Sequence, residues 1–224
     1  VIAAGLGIVL VSRVGPDVWP PLVLDVASPF PTLVYWLHLT LVAEAFWFER
    51  RSGSAMVSMS LGVNLASILV LPPAIALPIA AAGVLLGDLL FHRRSVLQAA
   101  FNAGQTGLAL GTAALVLKQS PAYATAGILF EPGILLAAFV VFLVLNTGLV
   151  AGIVGLHRGR SIAGTWRSCF GNVDYGLSCV AHCLLAVALA ALYPQLGFMG
   201  GVAGIFFFAL VRRATTRAAT APAL

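Results

Sequence analysis

Ten side chains able to carry charge or exchange hydrogen bonds interrupt otherwise apolar stretches: His38, Glu44, Asn64, Asp88, Asn102, Gln105, Asn146, Thr147, Asp174 and His182. Glu44 precedes Arg50 by six residues, so on a helix its carboxylate would lie about 9 Å inside that basic boundary. A carboxylate so placed reads as a proton, cation or ligand site, or as one half of an ion pair with a nearby Arg; both readings stay open. Asp88 falls one turn before His92 and less than two before Arg93, the spacing of an interfacial ion pair. His38 and His182 are each isolated. They are packing residues held by hydrogen bonds unless their helices neighbour that of Glu44, in which case the three would form a polar pocket. Asn102 and Gln105 are three apart and share a helix face, where amides tie helices together for about 1 kcal/mol or less each. Asn146 is a similar amide in a later stretch.

Chemistry of other kinds finds no pattern. No His-x-x-Glu-His or Cys-x-x-Cys spacing points to a metal, no Gly-x-Ser-x-Gly elbow or phosphate loop points to catalysis, and no cofactor motif is legible. Cys169, Cys179 and Cys183 are odd in number and without a disulfide framework. They read as small apolar filling.

The elements that must position these groups follow from composition. Of 224 residues, 61% are hydrophobic and 8% charged, against roughly 25% charged in a soluble domain. That is too little charge to coat a water-facing surface, so the chain is read as an all-α, polytopic transmembrane bundle. Its net charge of +5 does not indicate nucleic acid, because the basic residues sit in small groups between apolar runs and not in one patch.

The runs are Val1–Val11, Pro31–Phe48, Ala55–Leu71, Ala74–Phe91, Val96–Leu117, Pro132–Leu156, Val173–Leu192 and Leu196–Val211. Most approach the ~20 residues needed to span. The first is expected to be the end of a longer helix, giving about eight spans. Residues 55–91 are either two spans or a re-entrant pair. With alternating crossings, the inside loops hold Arg50, Arg51, Arg93, Arg94, Arg158, Arg160, Arg167, Arg212, Arg213 and Arg217, and the outside loops Arg13 and Lys118. Ten against two is a strong positive-inside bias, which places both termini in the cytoplasm. Residues 1–213 form one transmembrane domain and 214–224 a tail or the start of a linker to a further domain. Ser12–Phe30 is expected either to lie on the outer interface or to cap the bundle. Gly159–Asn172, with Ile162, Trp166 and Phe170 four apart, is expected to be an amphipathic helix at the inner surface with Trp166 as an interfacial anchor. Gly107-x-x-x-Gly111, Gly148-x-x-x-Gly152 and Gly200-x-x-x-Gly204 are expected sites of close helix approach.

Four stretches, in order, resemble a known family. They are Gly87-Asp88-Leu89-Leu90 with basic residues just after, Ala100-Phe101-Asn102-Ala103-Gly104-Gln105, Leu145-Asn146-Thr147-Gly148-Leu149-Val150, and the segment with Ser161, Trp166 and Phe170 followed by two last spans and a basic exit. Together, from about Arg51 to Arg213, they are similar to the MASE-type N-terminal membrane module of bacterial signalling proteins that carry C-terminal HD-GYP or GGDEF domains. The resemblance implies a sensory or anchoring module in a bacterial cytoplasmic membrane, with any catalytic domain beyond Arg213. Its partners would be the lipid bilayer, a cytoplasmic output domain or a homodimer mate, and an unidentified small molecule.

Two other expectations stand beside it. The chain also resembles the vitamin-binding subunits of energy-coupling-factor transporters, which would use His38, Glu44, Asn102, Gln105 and His182 as pocket groups; Pro72-Pro73 and Pro78 then hint at a broken helix. A structural subunit of a larger complex would instead satisfy these polar groups with other chains.

Overall fold

The computed structural model describes residues 30–45, 47–48, 57–124 and 131–218. Val1–Val11, the Ser12–Pro29 loop and the anchors Arg50 and Arg51 lie outside the described residues. Seven α-helices follow in order among the described residues: α1 Phe30–Ala45, α2 Ser60–Val70, α3 Pro73–Leu90, α4 Val96–Leu117, α5 Pro132–Arg158, α6 Ile162–Phe170 and α7 Val173–Ala218. A two-residue antiparallel pair, β1 Trp47–Phe48 with β2 Val57–Ser58, joins α1 to α2. Among the described residues, four segments are long and apolar enough to cross a membrane: α3, α4, α5 and Val173–Tyr193 of α7.

Local chemistry sets the helix ends. Leu71-Pro72-Pro73 ends α2 and starts α3, because proline has no N–H to give and fits the first helical turn. Ser95 and Gln98 form a reciprocal capping box at the start of α4. Gly159, at φ 62°, closes α5 in the left-handed conformation, and Ser161 then caps α6 through the Gly164 N–H. Asn172 receives the Tyr175 N–H at the start of α7.

The packing order is an open arc around α2. α1 packs on α3, α3 on α4, α4 on α5, and α5 on α6, while α7 lies against α2 and touches α1. Every residue of α2 is buried. At 11 residues this helix is about 16 Å long, half the hydrocarbon thickness of about 30 Å. The expected run Ala55–Leu71 is therefore shorter as a helix: Val57–Ser58 form β2, and the helical part Ser60–Val70 is a buried central segment. The run Pro31–Phe48 is likewise shortened, with α1 ending at Ala45 and Trp47–Phe48 in β1.

The last two expected spans are also drawn differently. Residues 173–218 form one uninterrupted helix of 46 residues. The helix runs on through Tyr193-Pro194, although Pro194 removes one backbone donor there.

Tyr123 closes the far end of α2 by donating its hydroxyl to the Ile68 carbonyl at 2.8 Å. Burial pushes this phenol well above its ordinary value, which keeps the proton on the oxygen. Tyr35 of α1 stacks on Tyr193 of α7 at 5.3 Å between ring centroids, and Trp36 lies tilted against the same ring at 5.2 Å.

Candidate functional site

The residues nearest the basic loops gather into one polar cluster. Thr40 and Glu44 are one turn apart on α1 and lie over Gly83 and Gly87, one turn apart on α3. A Cβ at Gly83 would come within 2.4 Å of the Thr40 methyl, and one at Gly87 within 2.6 Å of the Glu44 Cβ. Glycine at both positions is what lets the two backbones approach, and that approach carries Glu44 into the interior, where it is 4% exposed.

The Glu44 carboxylate is fully engaged there. Ser60 donates its hydroxyl to Oε1, Ser58 donates to Oε2 at 3.0 Å, and His92 Nε2 lies 3.3 Å from Oε2. The cluster therefore joins α1, β2, the first residue of α2 and the loop after α3. One of the two readings open for Glu44 in the sequence was a pair with a nearby Arg. The structure supplies His92 and two serines, neither of which stood out because isolated serines are common in apolar runs.

Asp88 continues the same polar layer. Its Oδ1 is 3.2 Å from Arg94 Nε, and its Oδ2 accepts from Asn102 Nδ2 at 2.5 Å. The expected ion pair is present, but with Arg94 in place of Arg93. Arg93 instead turns the chain, at φ 51°. Asn102 and Gln105 do not act on one neighbour. Asn102 reaches back to α3, while Gln105 donates to the backbone carbonyl and Oδ1 of Asn146 on α5, at 2.8 and 2.7 Å. Three residues leave the two side chains about 60° apart around the helix, so from neighbouring positions on α4 one turns toward α3 and the other toward α5.

His38 and His182 are not drawn into this layer. His38 is exposed on α1 and its Nδ1 lies 2.8 Å from the Val34 carbonyl. His182 is fully buried against α2, with Nδ1 2.6 Å from the Ser178 carbonyl. Both use the carbonyl one turn earlier on their own helix. Trp166 donates its indole N–H to Thr147 Oγ1 at 2.8 Å, which pins α6 to α5. Gly155 permits that contact, since a Cβ there would meet Arg160 O at 3.0 Å and Thr165 Oγ1 at 3.2 Å. Arg158 and Arg160 are exposed beside α6. Arg212 and Arg213 belong to α7, and their side chains lie outside the described residues.

The expected glycine contacts are corrected at Gly107, Gly148 and Gly152, while the surroundings of Gly200 and Gly204 lie outside the described residues. A Cβ at Gly107, Gly148 or Gly152 would meet nothing within 4 Å. These glycines face open space, and the close approach falls on Gly83 and Gly87 instead.

Between α5 and α7 lies an apolar groove of about 620 Å³. Leu136, Val140 and Val144 form one wall and Val180, Leu184 and Val187 the other, each a stripe at helical spacing, while Thr147 and Trp166 stand at its α6 end. Among the described residues no group of three His, Cys, Asp or Glu side chains could hold a metal ion.

The family model MASE9, of the membrane-associated sensor domains, matches residues 22–213. No curated protein and no solved structure matches the chain.

Proposed function

The chain belongs to the MASE9 family of membrane-associated sensor domains, and from that premise we propose that it is an integral-membrane sensory module passing a signal to a cytoplasmic output domain or partner beyond Arg213. The match over most of the chain is the single observation that carries this reading. The Lys and Arg distribution supports a bundle whose polar layer at Glu44, His92, Asp88 and Arg94 faces the cytoplasm.

A signal needs an element with two arrangements that a stimulus favours unequally. The polar layer supports that role. Glu44 links α1 to the entrance of α2 and to the loop after α3, and α2 is packed along α7, the helix that leads to Arg213. A stimulus that moved α1 over α3 would shift Glu44 against Ser60 and so displace α2 against α7. The chain itself is read as non-catalytic. The transporter expectation receives no support from the family match.

The test is a fusion of residues 1–213 to a cyclase domain of known activity, assayed in membrane vesicles. Glu44→Gln and His92→Ala are expected to change cyclase output several-fold at equal protein level. Output identical to wild type in both variants would refute signalling through this layer.

A further inference from the structure

Two features of α7 conflict with a bilayer. Val173–Tyr193 is about 31 Å long and already spans the hydrocarbon. The whole 46-residue helix is about 69 Å long, so in line its second half would leave the membrane on the side away from α6. That half reads Leu196 to Val211 with no charged residue, and Arg212, Arg213 and Arg217 follow. In line, these three arginines join Arg13 and Lys118 outside, and the basic count falls from ten against two to seven against five. A long apolar helix in water and a lost charge bias are both unfavourable.

We propose that in the membrane α7 bends at Tyr193-Pro194 and that residues 196–211 fold back into the apolar groove between α5 and α7. Pro194 is the residue at which a helix gives up its backbone hydrogen bond most readily. The pivot is fixed, because Tyr193 is held against the rings of Tyr35 and Trp36. The segment starts at the end of the groove that Val187 and Pro132 mark and would run antiparallel to α7 toward Thr147 and Trp166.

Its length fits. Sixteen residues make a helix of about 24 Å, and the groove wall from Pro132 to Thr147 is about 22 Å along α5. Its chemistry fits as well. The walls are apolar and outward-facing, with Leu136 64% and Leu184 66% exposed. Their four-residue ridges are the surface into which another helix interdigitates. Gly197, Gly200, Gly201 and Gly204 let that helix come close. Folding back also returns Arg212 and Arg213 to the end of the bundle where Arg158, Arg160 and Arg167 lie.

Crosslinking tests this. Cys183 lines the groove, so Cys169→Ser and Cys179→Ala leave it as the only native thiol. Single cysteines are then placed at Gly204, Ile205, Phe206, Phe207, Phe208 and Ala209 in turn, covering every face of the segment, and membranes are treated with a short lipid-soluble bis-maleimide. The expected result is an internally linked monomer, of altered gel mobility, at positions three or four apart. Links only between two copies would overturn the proposal in favour of exchange between chains. No link at any position would also overturn it, leaving the groove to lipid. The result does not depend on the sensor reading, since an internal link would stand whether or not the cyclase fusion responds.

Discussion

Replacing Gly87 by Ala should separate α1 from α3 and disable the Glu44 cluster, whereas the same change at Gly107 should not. The added methyl at residue 87 would sit 2.6 Å from the Glu44 Cβ and Cγ. Carbon atoms rest at about 3.5 Å or more, so α1 must retreat by about 0.9 Å. Such a retreat stretches the 3.3 Å contact between His92 and Glu44 past hydrogen-bonding range. Overpacking of this kind costs about 1–3 kcal/mol. In a chain of this size that corresponds to a fall in Tm of about 2–4 °C per kcal/mol, or about 2–12 °C. Gly83→Ala, facing the stiff Thr40 at 2.4 Å, should behave alike. Gly107→Ala meets nothing within 4 Å, and alanine is favoured over glycine in a helix by up to about 1 kcal/mol, so its Tm should hold or rise. The assay is thermal unfolding of purified protein in one detergent, all variants side by side. If Gly87→Ala matched wild type, or Gly107→Ala fell as far, the packing of α1 on α3 described above would be refuted.

Two further outcomes follow from the polar contacts. Glu44→Ala leaves the Ser58 and Ser60 hydroxyls and His92 without their shared acceptor and should cost about 1–3 kcal/mol, with Glu44→Gln milder; equal melting of Glu44→Ala and wild type would remove the cluster from the account of stability. Gln105→Leu, which loses both bonds to Asn146, should cost about 0.6 kcal/mol and no more than about 1.7, and cysteine-scanning accessibility along α5 should rise if the α4–α5 tie is real.

Membrane residence and the helix positions from Pro73 to Arg158 were readable in the sequence, because a bilayer demands long apolar segments and basic residues mark their ends. Asp88 was readable as a paired group for the same reason. Packing partners were not. Glycines four apart occur in several spans, and only a neighbour's position shows that Gly83 and Gly87 are crossed by Thr40 and Glu44 while Gly107 faces open space. The serines that receive Glu44 are ordinary residues in local sequence and become special only because β2 and α2 fold under α1. The shortening of Ala55–Leu71 was hidden since hydropathy measures apolarity and not whether lipid or protein supplies the surroundings. Whether Tyr193-Pro194 bends or continues is a property of what the second half can pack against, which local sequence does not contain.

The short central helix has a consequence for how the protein is made. Eleven residues make a helix too short to reach across a bilayer alone, and Ser60, which donates to Glu44 of α1, would lose that partner in lipid. α2 therefore cannot be lodged in the membrane as an independent stage of assembly. It must arrive tethered to α3 through Pro72-Pro73 and sink into place only as the surrounding helices close on it, so the biogenesis of this bundle ends at its centre and not at its edge.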